Sequence, residues 1–201
     1  MTEPFRIILA SASPRRHALL REAGVEFEIV ESCVEEDFDP SLAPEAVACE
    51  LAARKALHVA SGLSGQRVLV IGADTIVAVD VAGAARILGK PESEVEAAEM
   101  LRMLSSSRHR VITGVSVVDC SRGSHETAFE RTWVTMRVLT PNEVEGYVAS
   151  GEWRGKAGGY AIQENADKFV TQLEEGGFDN VVGLPVERTL SMLRAQGALL
   201  A

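Results

Sequence analysis

The chain has 201 residues, of which 46% are hydrophobic and 24% are charged, so it can form one sizeable α/β domain or two small lobes. Its formal net charge of -9 argues against a nucleic-acid polymer as a partner, because polymer binding needs a broad positive surface. No apolar run approaches the ~18 residues of a membrane span. The N-terminal run MTEPFRIILAS does not fit a secretory signal, so we expect a cytoplasmic protein with no membrane partner.

Strand and helix patterns alternate along the first half of the chain. The pattern predicts a strand over Arg6–Ala10, a helix over Pro14–Ala23 and a second strand over Glu26–Glu31. A long helix follows from Pro44 to Ser61. The apolar run VLVIGADTIVAVD then predicts one or two strands.

The second half continues with a helix over Val95–Leu104 and two β-rich runs, HRVITGVSVVD and ETAFERTWVTMRVL, which the loop SRGSH joins. A short helix is predicted over Pro141–Ser150. A glycine-rich segment, the strand-like run FVTQLEE and a helix from Pro185 complete the chain. The alternation predicts an α/β fold with a central mixed sheet.

The three cysteines, Cys33, Cys49 and Cys120, lie far apart in the sequence. No CxxC or HExxH pattern accompanies them. The sequence therefore predicts reduced structural thiols rather than a zinc site or a disulfide framework.

The junction LASASPRR places two arginines at the start of the first predicted helix. A helix N-terminus disfavours cations by about 0.3–1 kcal/mol each. A phosphate bound by the backbone N–H groups near Ser11 and by Arg15 and Arg16 would offset that repulsion. The alternative is that both arginines point to solvent or pair with an acid such as Glu22.

Lys55 falls within an apolar arc of the long helix that also contains Val47, Leu51 and Val59. A lysine on a buried face needs a partner or a ligand. The alternative is that its stem is buried and its ammonium group reaches past the rim of the core.

Asp74 interrupts the otherwise apolar run VLVIGADTIVAV. Burying a carboxylate without compensation is costly, and Gly72 lets the backbone bend or approach another element closely. We favour a metal ligand or a general base at this position. The alternative is an aspartate that caps a turn between two strands.

Lys90 stands between Gly89 and Pro91, at a predicted helix start where the helix dipole disfavours a cation. It serves either as an anion ligand or as a plain loop lysine, and the sequence favours neither.

The acidic run Glu35-Glu36-Asp37, with Asp39, is typical of solvated surface. It could equally supply a carboxylate for Mg²⁺, which takes one or two carboxylates together with substrate phosphates and water. Spacing alone does not choose which acid would serve.

Eight segments together resemble the Maf-like nucleotide pyrophosphatase family: LASASPRR, SCVEED, ELAARKA, GADTIV, ILGKP, HRVITGVSV, KAGGYAIQ and NVVGLPV. The resemblance covers nearly the whole chain and implies a single domain over residues 1–201. It implies an elongated two-lobed α/β fold with a mixed sheet and an active-site cleft between the lobes. It also implies hydrolysis of nucleoside triphosphates to the monophosphate and pyrophosphate, with Mg²⁺ or Mn²⁺, in a cytoplasmic protein that is often a homodimer.

The resemblance also assigns roles to residues of this sequence. It implies that Asp74 is the catalytic proton acceptor and, with Glu36, holds the metal. The other implied active-site positions are Ser11, Arg16, Lys55 and Lys90.

Three positions resemble the family branch that prefers dTTP and UTP: Arg15, Thr75 and Gln163. The other branch prefers 7-methyl-GTP and is the alternative. The family's glycines after Gln163 are replaced here by Glu164–Lys168, which puts the base preference in question. The resemblance further suggests removal of non-standard nucleotides from the cell.

Two other classes of function compete with the enzyme. A nucleotide-binding regulator of cell division would bind without turnover, but it would have little need for Asp74 beside two lysines. An RNA-binding module is opposed by the acidic charge and by an aromatic content of only 5%.

Overall fold

The structure is a computed structural model that describes residues 4–163 and 165–198. Seven strands and six α-helices lie within them. The strands are β1 Arg6–Leu9, β2 Glu28–Ile29, β3 Val68–Val81, β4 Ala84–Leu88, β5 Arg108–Asp119, β6 Ser124–Met136 and β7 Val170–Glu174. The helices are α1 Pro14–Glu22, α2 Pro44–Ala60, α3 Glu94–Leu104, α4 Pro141–Ser150, α5 Phe178–Val182 and α6 Val186–Ala195.

The strands pair in the order β2-β1-β3-β5-β6-β7, and β4 also pairs with β3. Ile8 of β1 stands opposite Glu28 of β2 and Val70 of β3, and both pairings are parallel. The β3–β4 and β6–β7 pairings are antiparallel. The predicted α/β class with a central mixed sheet is therefore confirmed.

The chain divides into two compact units. The first comprises the chain up to Asp74, Thr113–Glu130 and the chain from Gly183. The second comprises Thr75–Ile112 and Arg131–Val182. The long strands β3, β5 and β6 each contribute to both units. The cleft that the resemblance implies stays a prediction.

In the first unit, both faces of the strands are buried. Ile7 and Leu9 of β1 pack with Leu20 of α1 and Leu193 of α6. Ile8, between them, packs with Ala56 of α2 instead. Because successive side chains of a strand point to opposite faces, the first unit has helices on both faces of its strands.

Helix α2 lies unusually close to β3 and β5 because glycine meets alanine at the contacts. A Cβ added to Gly72 of β3 would lie 2.2 Å from the carbonyl oxygen of Ala52. A Cβ added to Gly114 of β5 would lie 2.2 Å from the carbonyl oxygen of Ala48. These glycines are needed for close approach and not for an unusual backbone angle.

In the second unit, one hydrophobic core joins α3 and α4 to the strands. It includes Leu101 and Leu104 of α3, Tyr147 of α4, Val134 of β6 and Phe169. The Ser93 and Thr140 side chains cap α3 and α4 by accepting hydrogen bonds from backbone N–H groups. Both helices therefore begin where their capping residues predict.

The predicted bounds of α1, α2 and α3 lie within one residue of the observed ones. The strand predicted over Glu26–Glu31 is shorter, because only β2 pairs with β1. Strand β4 was not predicted, since its hairpin turn needs a positive φ at Ala82, a conformation that alanine rarely adopts. The short helix α5 was also missed. Among residues 4–163 and 165–198, no helix is long and apolar enough to cross a membrane.

Candidate active site

Three charged side chains meet in the first unit. The ammonium group of Lys55 donates a short hydrogen bond to Oδ1 of Asp74 and another of 2.8 Å to Oε1 of Glu36. The side chains of Lys55 and Asp74 are only 9% and 7% exposed, and that of Glu36 is 39% exposed. One buried cation therefore lies between two carboxylates, which brings three of the predicted site residues together.

The close packing of α2 on β3 explains this meeting. Gly72 and Asp74 point to the same face of β3, because side chains two residues apart share a face. Gly72 contacts the helix at Ala52 and Ala56, and Lys55 lies on the same turn. Asp74 lies within an unbroken strand, so the alternative of a turn cap is wrong. Lys55 is buried with a charged partner, so the alternative in which its ammonium group reaches past the rim of the core is also wrong.

Ser11 and Arg16 belong to the same unit and contact each other. Ser11 is buried, and its Oγ accepts a 3.3 Å hydrogen bond from Nη1 of Arg16 and one of 3.2 Å from the backbone N–H of Ser13. Nε of Arg16 donates to the carbonyl oxygen of Gly183 at 2.7 Å. His17 Nε2 donates to the carbonyl oxygen of Ser11 at 2.7 Å.

The electrostatics of Arg16 connect it with the acidic pair. Burial lowers the pKa of its guanidinium, and the charges of Asp74 and Glu36 oppose that effect. Arg15, the neighbouring cation, lowers the pKa of Arg16 slightly further. The Asp74 and Glu36 carboxylates therefore help to stabilise one of the two arginines that the helix N-terminus disfavours.

Of the remaining predicted site residues, Arg15 is half-buried on α1 in the first unit, and the other three belong to the second unit. Thr75 follows Asp74 on β3 and is half-buried. Lys90 is exposed in the loop between β4 and α3, ahead of the Ser93 N-cap, so its predicted place at a helix start is wrong. Gln163 is exposed.

Gln163 lines a pocket of about 760 Å³ in the second unit. Its polar lining includes Glu152, Arg154, Lys156, Asn165 and Asp167. Glu152 holds one wall of the pocket, because its carboxylate accepts a short hydrogen bond from the Asn165 amide group and one of 3.2 Å from the Asn165 backbone N–H. Glu164, part of the departure from the family pattern, lies outside the described residues.

The comparison with known proteins covers nearly the whole chain, including the residues of the candidate site. The model of a family described as Maf-like protein matches residues 6–196. The chain belongs to this family. The match begins at β1 and ends after α6, so it includes every residue of the Asp74–Lys55–Glu36 cluster.

Several curated relatives carry the name dTTP/UTP pyrophosphatase. The relative from Pelotomaculum thermopropionicum is 44% identical over 191 residues, which cover 95% of this chain and 96% of that protein. The relative from Bacillus mycoides is 47% identical over 189 residues, 94% of each chain. The relative from Alkaliphilus oremlandii is 44% identical over 189 residues, 94% of this chain and 95% of its own.

Glu36 and Asp74 carry carboxylate groups, the ligand type that Mg²⁺ takes from proteins. Both carboxylates contact one ammonium group, so both already face a positive charge. Across the described part of the chain, no group of three histidine, cysteine or acidic residues could hold a metal ion. Two carboxylates nevertheless suffice for Mg²⁺ when substrate phosphates and water complete its ligands.

Sequence reasoning missed two contributors to this site. Gly183 supplies a carbonyl oxygen to Arg16 from 167 residues away, and no local pattern could have indicated that contact. Arg54 contacts the acidic run that contains Glu36. Its signal was its place in the basic pair Arg54-Lys55.

Proposed function

We propose that this protein is a nucleoside triphosphate pyrophosphatase that hydrolyses dTTP and UTP to the monophosphate and pyrophosphate. The observation that carries the proposal is the buried contact of Lys55 with Asp74, together with Glu36 and Arg16 in the same unit. Lysine and arginine side chains fixed in such a site can stabilise the charge that develops on a transferring phosphoryl group. The names of the curated relatives supply the substrate class.

The reaction is a direct hydrolysis. Water attacks the α-phosphorus, the bond from that phosphorus to the α–β bridging oxygen breaks, and pyrophosphate leaves with the bonding electrons. Asp74 orients the water and takes its proton. Arg16, Lys55 and Lys90 neutralise the negative charge that grows on the leaving group, and Ser11 orients Arg16 through its hydroxyl.

A divalent cation, Mg²⁺ or Mn²⁺, belongs to the proposal. Asp74 and Glu36 would hold it, and when bound it would neutralise charge on the phosphate oxygens. Lys55 contacts both carboxylates, so it keeps the pair together despite their mutual repulsion.

Base selection is assigned to Arg15, Thr75 and Gln163. An amide group offers both a donor and an acceptor to a pyrimidine edge, and Gln163 lines a pocket whose other walls are polar. We propose that this set favours dTTP and UTP over 7-methyl-GTP.

The wider setting is also a proposal. We propose that residues 1–201 act as one domain, which the continuous family match supports. We propose a cytoplasmic, homodimeric enzyme that removes non-standard nucleotides.

The test is pyrophosphate release by purified protein with Mg²⁺ or Mn²⁺, across dTTP, UTP, CTP, purine triphosphates and 7-methyl-GTP. We expect dTTP and UTP to be preferred. Asp74→Asn should lower turnover by about a hundred- to ten-thousandfold, as expected for loss of a general base. Asp80→Asn is the matched control, because Asp80 lies on the same strand with an exposed side chain paired to Arg110.

Each other outcome has a definite meaning. A preference for 7-methyl-GTP would mean that this protein has the substrate preference of the other family branch. Nucleotide binding without pyrophosphate release would favour the regulator. Normal turnover by Asp74→Asn would remove the proposed role of Asp74.

A further inference from the structure

Glu36 is the one member of the charged cluster that no helix or strand holds. Asp74 lies within β3 and Lys55 within α2, but residues 31–39 form neither helix nor strand. An irregular segment has many accessible conformations, and holding one of them costs free energy. The Glu36 carboxylate can meet Lys55 reliably only if other contacts hold its backbone.

Arg54 supplies those contacts. Its Nη1 lies 2.9 Å from the carbonyl oxygen of Glu35 and 2.9 Å from that of Asp37. The same nitrogen contacts Oδ1 of Asp37 at 2.7 Å. One guanidinium nitrogen therefore binds the backbone on both sides of Glu36.

The other end of the guanidinium is held by the helix itself. Nη2 of Arg54 donates to Oε1 of Glu50 at 2.8 Å, one turn earlier on α2. Nη2 thus holds the side chain on α2 while Nη1 binds the loop. Arg54 and Lys55 are consecutive, so one helical turn binds both the backbone and the carboxylate of the Glu36 segment.

We propose that Arg54 is a positioning residue that holds Glu36 at the catalytic cluster by binding the carbonyl groups of Glu35 and Asp37. The expected effect of Arg54 on turnover rests on the proposed function. The expected effect of Arg54 on the loop is independent of that function. Arginine is required rather than lysine, because Nη1 binds the loop while Nη2 binds Glu50, and the single nitrogen of an ammonium group cannot occupy both places.

The first measurement is amide hydrogen exchange in the protein without nucleotide. Arg54→Ala should speed exchange in residues 33–39 and leave α6 unchanged. Arg54→Lys should also speed it, because the charge is kept and the fork is lost. Glu50→Gln is the matched control, since it removes the ion pair within the helix and leaves the loop contacts in place. Unchanged exchange in Arg54→Ala would overturn the proposal.

The second measurement is a double-mutant cycle on kcat/KM with Arg54→Ala, Glu36→Gln and both together. Arg54→Ala alone should lower kcat/KM by about ten- to a hundredfold, as expected when a reacting group is misplaced. In the Glu36→Gln background the same change should cost less than about twofold, because a residue acting through Glu36 then has nothing to position. Equal losses in both backgrounds would overturn the proposal, and so would full rescue by Arg54→Lys.

The two measurements separate the possible failures. If the protein hydrolyses no nucleotide, the proposed function fails while the exchange measurement still decides whether Arg54 holds the loop. If Glu50→Gln loses as much activity as Arg54→Ala, the ion pair within α2 is the important contact and the proposal is wrong.

Discussion

One set of buried polar contacts in each unit differs in charge. In the first unit Lys55 compensates the carboxylates of Asp74 and Glu36, although neutral groups such as Ser11 and Thr189 are buried there as well. In the second unit two of the buried pairs are neutral: Tyr160 contacts His109, and the Asn180 amide donates to Thr132. Under the proposed function, the Asp74–Lys55–Glu36 cluster stabilises charge during the reaction, and the pocket lined by Gln163 recognises the base. Changes in the Asp74–Lys55–Glu36 cluster should therefore lower turnover of every nucleotide, and changes around the pocket lined by Gln163 should alter the choice among nucleotides.

Loss of the central cation should have the largest effect. Lys55→Met keeps a long side chain but leaves the Asp74 carboxylate buried without its partner. Breaking a buried pair in this way costs about 3–5 kcal/mol of stability. Loss of a positioned donor should also lower turnover by about a hundred- to a thousandfold. Thermal unfolding and pyrophosphate release measure the two effects.

The matched control for this change is Lys168→Met, an exposed lysine of the second unit. It should leave both stability and turnover close to those of the parent protein. A Lys55→Met protein that lost activity for purine nucleotides only would contradict this prediction, because charge compensation should serve all triphosphates alike.

A substitution where α2 packs closely against β3 should have the next largest effect on stability. In Gly72→Ala the new Cβ would lie 2.2 Å from the Ala52 carbonyl oxygen and 2.7 Å from the Ala56 backbone nitrogen. Backbone atoms cannot swing aside, so the helix must move away from the strand. We expect a loss of about 1–3 kcal/mol in the free energy of unfolding, measured with urea, and reduced turnover because Lys55 moves with the helix.

Gly62→Ala is the control for Gly72→Ala. Nothing lies within 4 Å of a Cβ built at Gly62, and its φ is not positive. The substitution should be neutral or slightly stabilising. Equal losses at the two glycines would show that backbone freedom, and not close packing, explains the effect at Gly72.

Much of the fold was predictable, because its signals are local. The Ser93 and Thr140 caps and the continuous apolar runs of β1 and β3 each follow from a few neighbouring residues. Strand β4 was not predicted, because the turn before it needs a positive φ at Ala82. The pairing of β4 with β3 stabilises that turn.

The site was predictable where a residue contradicted its surroundings. Lys55 in an apolar arc and Asp74 in an apolar strand each indicated a partner, and the structure makes them partners of each other. The roles of Arg54 and Gly183 were not predictable. Their contacts join distant parts of the chain through backbone carbonyl groups, which every residue carries.

The neutral network of the second unit predicts a dependence of stability on pH. Burial lowers the pKa of His109 to about 4. The Ser107 hydroxyl donates to the Leu104 carbonyl oxygen, so Ser107 accepts from Nδ1 of His109, and the Tyr160 hydroxyl donates to Nε2. The unfolded chain binds a proton below about pH 6.5 and the folded chain does not until about pH 4. Stability should therefore fall by up to about 3 kcal/mol as the pH drops through that window.

Urea unfolding of His109→Gln between pH 7 and pH 4 measures this contribution. The variant should be less stable at pH 7 but should lose less stability on acidification, because glutamine does not titrate. His125→Gln, at an exposed histidine of β6, should keep the slope of the parent protein. An unchanged slope in His109→Gln would mean that the neutral network does not set the acid sensitivity of the protein.

The smallest predicted effect concerns the choice of base. Asn165→Ala removes the amide contact with Glu152 but leaves the backbone contact at 3.2 Å, so the segment that carries Gln163 should loosen rather than detach. A partly exposed hydrogen bond contributes about 0.5–1.5 kcal/mol, which corresponds to a change of about two- to tenfold. That change should appear in the ratio of kcat/KM for dTTP to that for CTP, and turnover of dTTP at saturation should stay nearly constant. Gln163→Ala should shift the ratio further, because it removes the recognising amide itself. If both variants lowered turnover of all nucleotides equally, the pocket lined by Gln163 would take part in the chemistry, and its proposed role in the choice of base would be wrong.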